Sequence, residues 1–218
     1  MSRKHKGILC ILLSAFFFAS MSLCVKLAGN IPSMEKAFFR NVIAMIIAGT
    51  TLIKSKENLH YEKKDLPLLI ARSSFGLLGV LGNFYAVDYL LLADASILQK
   101  TNPFFALLFS FLILKEKISW KQLGYISLAF FGVLIVVRPG FDGLALFPSF
   151  IAILGAMGAG MAYTIVRLLS QRGVSKSKII FFFSAFSTLV LLPNMIFHYV
   201  PLTFPQFITL LFAGILPH

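Results

Sequence analysis

The chain has 218 residues, of which 58% are hydrophobic, 14% aromatic and only 13% charged, and it holds 24 phenylalanines. Soluble domains carry roughly a quarter charged residues and disordered chains are poor in apolar ones, so both classes are excluded and an integral membrane protein is indicated. Lys and Arg number 20 against 8 Asp and Glu, but no basic run interleaved with aromatics stands outside the apolar segments, so this is loop charge rather than a nucleic-acid surface.

Met1-Ser2-Arg3-Lys4-His5-Lys6 is basic and precedes an apolar stretch longer than the core of a signal peptide, so it opens a retained first span. Apolar stretches then follow at about 7–28, 36–53, 66–87, 93–114, 119–137, 147–169, 178–200 and 204–217. Most are long enough for a hydrocarbon core about 30 Å thick, and they are continuous rather than alternating, which favours helices over barrel strands. The fold class is therefore an all-α integral membrane protein, a multi-span helical bundle of about seven to eight transmembrane helices.

Pro67, Pro148 and Pro205 stand in the first turns of spans 3, 6 and 8, where a missing N–H is harmless. Pro103 and Pro193 fall inside spans 4 and 7 and are expected to kink them. Arg138-Pro139-Gly140 closes span 5. Gly76, Gly79 and Gly82 in span 3 and Gly155, Gly158 and Gly160 in span 6 point to close helix packing; no strand precedes the second group, so a nucleotide loop is not its reading. Cys10 and Cys24 lie 14 residues apart on span 1, about 21 Å along a helix, too far for a disulfide. Neither a metal site nor a cofactor motif is present, and none is expected.

Orientation follows from charge. With the N-terminus inside, the inner segments hold Arg3, Lys4 and Lys6, then Lys54, Lys56, Lys63 and Lys64, then Lys115, Lys117 and Lys121, then Arg167, Arg172, Lys176 and Lys178, while the outer loops hold Arg138 alone. The expectation is a multi-pass protein of the cell (plasma or inner) membrane with a cytoplasmic N-terminus.

Several ordered motifs run along the first five spans. They are Ser22-Leu23-Cys24-Val25-Lys26, Phe38-Phe39-Arg40-Asn41-Val42-Ile43-Ala44, Asn83-Phe84-Tyr85-Ala86-Val87, Ala93-Asp94-Ala95-Ser96, Thr101-Asn102-Pro103-Phe104-Phe105-Ala106, Leu114-Lys115-Glu116-Lys117 and Gly132-Val133-Leu134-Ile135. Together they resemble the EamA family of the drug/metabolite transporter (DMT) superfamily. The resemblance implies ten helices in two five-helix repeats of opposite sense, with a site between the halves. Residues 7–138 then form a complete first repeat, and 147–218 a partial second one, helices 6, 7 and part of 8. Because the chain stops at Pro217-His218 within the eighth helix, a C-terminally shortened member is expected.

Charged groups at membrane depth are costly and default to functional hypotheses. Lys26 either faces the pathway or snorkels to the interface. Arg40 is a cationic donor toward an anionic substrate or a gate lock, or else an ion-pair partner of Glu35 or Asp94. Arg72 is expected to be an inner-end anchor. Lys100, with Gln99 and Asn102 beside the Pro103 break, resembles the discontinuous helices that line transporter sites, or else forms a polar patch buried between helices. Asn83, Tyr85 and Tyr163 add hydrogen-bonding groups; for Tyr85 the alternative is a residue of the interfacial aromatic belt. The expected arrangement is a weakly cationic vestibule in the outer half, open to a metabolite bearing carboxylate or phosphate.

The function expected is secondary transport or exchange of small organic metabolites, with the lipid bilayer and a small organic, anionic solute as partners; an oligomer is compatible with the sequence. No Walker A run occurs, so ATP drive is not encoded, and no H-E-x-x-H or G-x-S-x-G motif occurs, so an enzyme is not the expectation. Two alternatives stay open: a truncated, non-transporting membrane protein that needs a partner for the missing helices, and an intramembrane enzyme.

Overall fold

Apolar runs in lipid must satisfy their own backbone hydrogen bonds, and helices do so within each segment. The computed structural model describes residues 3–29, 31–56, 60–115, 119–137 and 146–215, and among these it contains helices and no strand. In chain order these are α1 (Arg3–Leu27), α2 (Ser33–Ser55), α3 (Leu66–Tyr89), α4 (Leu92–Gln99), α5 (Asn102–Leu114), α6 (Trp120–Val137), α7 (Leu146–Gln171), α8 (Lys176–Phe197) and α9 (Phe204–Ile215). Among the described residues, α2, α3, the α4–α5 pair, α7 and α8 are long and apolar enough to cross a membrane; Leu12–Leu27 and α9 are shorter apolar helices. The protein is thus an all-α, multi-span bundle. Arg138-Pro139-Gly140 and Pro217-His218 lie outside the described residues.

Span 4 is where the sequence pattern and the structure differ. It is two helices rather than one kinked helix, with Lys100 and Thr101 at the joint. The cause is Pro103, which has no N–H to give the carbonyl of Gln99, four residues back, and whose ring crowds that carbonyl. Helix α4 accordingly ends at Gln99, and α5 starts with Pro103 in its first turn. Pro193, by contrast, lies inside a helix that continues through it.

Helix α3 packs along α7 and also touches α8. Helix α2 packs along α8, α4 and α5 lie on α7, and α9 lies against α1 and α2. Small residues make the α3–α7 approach possible: a Cβ placed on Gly82 would meet the Gly155 Cα at 2.7 Å, so two backbones touch where neither helix carries a side chain. Gly160 does the same against α5, since a Cβ there would lie 2.7 Å from that of Phe105.

The two ends of the bundle are fastened differently. At one, the Asp65 end, Arg172 donates to Asp65 at 3.2 Å, and the Tyr61 hydroxyl donates to the Lys178 carbonyl at 3.2 Å. At the other, the Asp88 end, Lys36 pairs with Asp88 at 2.5 Å and Ser33 donates to the same carboxylate at 2.8 Å.

Candidate functional site

Helix α3 carries Arg72, Gly76, Gly79, Val80, Asn83 and Phe84 at helical spacing, and all of them face one cavity of about 200 Å³ in the middle of the bundle. Helix α2 contributes Arg40, α1 contributes Ser14, Phe18 and Met21, and α8 contributes Phe183. The joint between α4 and α5 contributes Gln99 and Asn102, and α7 contributes Tyr163. The helix break therefore turns two polar side chains toward the cavity.

Both arginines meet aromatic rings. The Arg72 guanidinium lies 4.0 Å from the centroid of Phe183, and that of Arg40 lies 6.0 Å from the centroid of Phe84. Such contacts partly offset the loss of water around a cation. Room for Arg72 comes from Gly76, whose absent Cβ would otherwise collide with the guanidinium. Nε and Nη1 of Arg72 are buried and make no hydrogen bond, and neither does the buried Oδ1 of Asn102. Among the described lining residues there is no carboxylate.

The expected site residues divide among three places. Arg40, Asn83, Gln99, Asn102 and Tyr163 share the central cavity. Lys26 and Tyr85 line a separate cleft at the Asp88 end, together with Asp88, Tyr89 and His198. In that cleft Lys26 donates to the carbonyls of Val87 at 2.5 Å and Leu90 at 3.4 Å, capping the end of α3, and Tyr85 stacks on Tyr89 with centroids 4.4 Å apart. Lys100 is exposed at the joint and lines neither space. Lys26, Arg40 and Lys100 thus do not share one vestibule. The residue that joins Arg40 is Arg72, expected from the sequence as an anchor. Its periodicity with Gly76, Asn83 and the other small or polar residues of α3 was the available signal.

Glu35, the sequence's candidate partner for Arg40, accepts a hydrogen bond from the Val200 amide at 3.3 Å. Among the described residues no group of three or more His, Cys, Asp or Glu side chains is placed to hold a metal ion.

Comparison with known proteins adds to this geometry. Residues 5–138 match the model of the EamA-like transporter family. The pseudopaline exporter CntI of Pseudomonas aeruginosa (strain UCBPP-PA14) is 32% identical over 212 residues, covering 96% of this chain and 73% of that protein. Solute carrier family 35 member G1 of Homo sapiens is 34% identical over 136 residues, covering 62% of this chain and 37% of that one. A solved crystal structure superposes with a TM-score of 0.69 at 15% identity, covering 94% of this chain and 73% of that one, a likeness of fold alone.

Proposed function

The chain belongs to the EamA-like transporter family, and from that premise we propose that it is a secondary transporter or exchanger that carries a small organic anion through the central cavity by alternating access. The observation that carries this reading is the cavity itself: two guanidinium groups and a set of neutral hydrogen-bonding side chains face it, and no described lining residue is acidic. Nε and Nη1 of Arg72 are buried without a hydrogen bond; a buried cation is stabilised by a counter-charge, and a passing anion supplies one there.

Helix packing supports two related halves, residues 7–138 and 147–218. Exchanging α1 with α7, α2 with α8 and α3 with α9 turns the α3–α7 contact into α9–α1 and the α3–α8 contact into α9–α2, and all four contacts occur. A site between such halves near the midplane is the setting for rocking one half against the other. The name of the Pseudomonas aeruginosa relative, an exporter, supports efflux as the direction. The charge distribution supports a cytoplasmic Asp65 end in the cell membrane.

The test is flux. Metabolites retained by a deletion strain and lost by an overexpressor identify the solute, and counterflow in proteoliposomes then measures its exchange. Arg72→Gln and Arg40→Gln should each lower that exchange at least tenfold, the loss of one charge-assisted contact. Unchanged exchange in both variants would take the solute path out of this cavity.

A further inference from the structure

Three helices diverge beside the central cavity. Helix α5 touches α7 at Gly160, where a Cβ would lie 2.7 Å from that of Phe105, and the Thr164 hydroxyl donates to the Ala106 carbonyl at 3.2 Å. It meets α6 through Phe104 and Phe130, with ring centroids 5.4 Å apart, and α6 itself rests on α4. Toward the Asp65 end the three helices part around a cleft of about 500 Å³. Leu107 and Ser110 of α5, Gln122 of α6, and Tyr163, Thr164 and Arg167 of α7 line it. Polar groups at membrane depth face water or protein rather than acyl chains.

Tyr163 lines this cleft and the central cavity, and it is the one described residue common to both. It stands three residues beyond the Gly160 contact, about 4.5 Å along α7. Its side chain belongs to a residue that is 58% exposed, so the ring can change rotamer without moving a helix. The more direct way from Arg72 to the Asp65 end is filled. Leu69, Ile165, Leu169 and Ile179 form a buried apolar cluster between α3, α7 and α8, and the pair of Arg172 and Asp65 lies beyond it.

Resting on the transporter reading above, we infer that the cleft between α5, α6 and α7 is a second site for the small organic anion, an antechamber at the Asp65 end, and that Tyr163 is the door between cleft and cavity. In one rotamer the ring separates the two spaces; in another it joins them. The anion then passes along Ser110 and Thr164, and the Leu69 cluster stays closed.

The experiment uses the full chain with Cys10→Ser and Cys24→Ser, in membrane vesicles of either orientation. The probe is an anionic, membrane-impermeant thiosulfonate, 2-sulfonatoethyl methanethiosulfonate. Leu107→Cys, in the cleft, should react at least about tenfold faster when the Asp65 end faces the probe than when the Asp88 end does. Reaction with lipid-soluble N-ethylmaleimide alone would mean that acyl chains fill the cleft, and it overturns the inference even if no tyrosine variant folds. Val80→Cys, in the central cavity, reports on the door. Adding Tyr163→Ala should speed its labelling from the Asp65 end by about tenfold, whereas Tyr163→Phe, which keeps the ring, should leave it within about twofold. A Val80→Cys rate that ignores the Tyr163 side chain also overturns the inference. Counterflow of the solute in proteoliposomes separates the two readings. Tyr163-dependent labelling without any flux upholds the door and sinks the transporter. Flux that Arg72→Gln abolishes, but that a bulky maleimide on Leu107→Cys leaves unchanged, upholds the transporter and sinks the antechamber.

Discussion

Lys36 is buried outright, and Asp88, itself mostly shielded, meets it across the α2–α3 boundary at 2.5 Å. Taking away one member of such a pair strands the other charge, so Asp88→Asn should lower stability by about 3–5 kcal/mol in an unfolding titration in detergent. Replacing both, as Lys36→Met with Asp88→Leu, should restore most of that loss, because two apolar side chains need no counter-charge. If the single and double variants unfold alike, the pair is not a coupled unit. Lys36 and Asp88 can both be placed at span ends from the sequence, but their pairing depends on which helices are neighbours, and residue spacing does not encode that. Lys100 and Arg72 exchanged significance for a related reason. Depth along a span is legible from position, whereas the direction a side chain faces is set by the rotation of its helix. The joint at Lys100 and Thr101 turns Lys100 outward while Gln99 and Asn102 reach the cavity. On α3, the stripe Arg72-Gly76-Asn83 turns a basic residue near a span end into a cavity residue.

At the scale of helices, existence and approximate bounds follow from apolar run length, and the small residues of α3 and α7 do what their spacing implies. Gly155→Leu should destabilise the bundle by about 1–3 kcal/mol, since its side chain would have to fit where a Cβ already lies 3.0 Å from the Gly82 Cα. The contrasting site is Gly124 in α6, where a Cβ meets nothing within 4 Å. There Gly124→Ala should be neutral or stabilising by up to about 1 kcal/mol, through helix propensity alone. Melting temperatures of the two variants beside the parent would show whether close approach, rather than glycine content, is what α3 and α7 require. The division of span 4 was only half legible. A proline at this position marks a disturbance, but whether the helix bends or ends depends on whether neighbours receive the freed groups. Here α7 packs along both halves, and the joint opens to the cavity. Pro103→Ala should therefore fuse α4 and α5, raise thermal stability, and lower counterflow by withdrawing Gln99 and Asn102 from the solute path; a variant with parental flux would show that the break is incidental to transport.

At the scale of the molecule, the chain distributes charge by end. The carboxyl end of α2, the amino end of α3, the carboxyl end of α7 and the amino end of α8 meet where Asp65 holds Arg172 and Lys178 reaches the His60 carbonyl. Lys54, Lys56, Lys63, Lys64, Arg172, Lys176 and Lys178 belong to these ends. The Asp88 end has Lys26 and Lys36 engaged with α3, on carbonyls and on Asp88 respectively. Basic side chains of these helix ends are therefore concentrated at a single face, which is the pattern retained on the cytoplasmic side during insertion. The sidedness prediction is made in a background with Cys10→Ser and Cys24→Ser. His60→Cys, on the α2–α3 connection, should resist a membrane-impermeant maleimide in intact cells and label once they are permeabilised. Pro201→Cys, on the α8–α9 connection, should label from outside in intact cells. The reverse pattern would invert the topology and with it the side from which the solute enters, while leaving the cavity and its two arginines where they are.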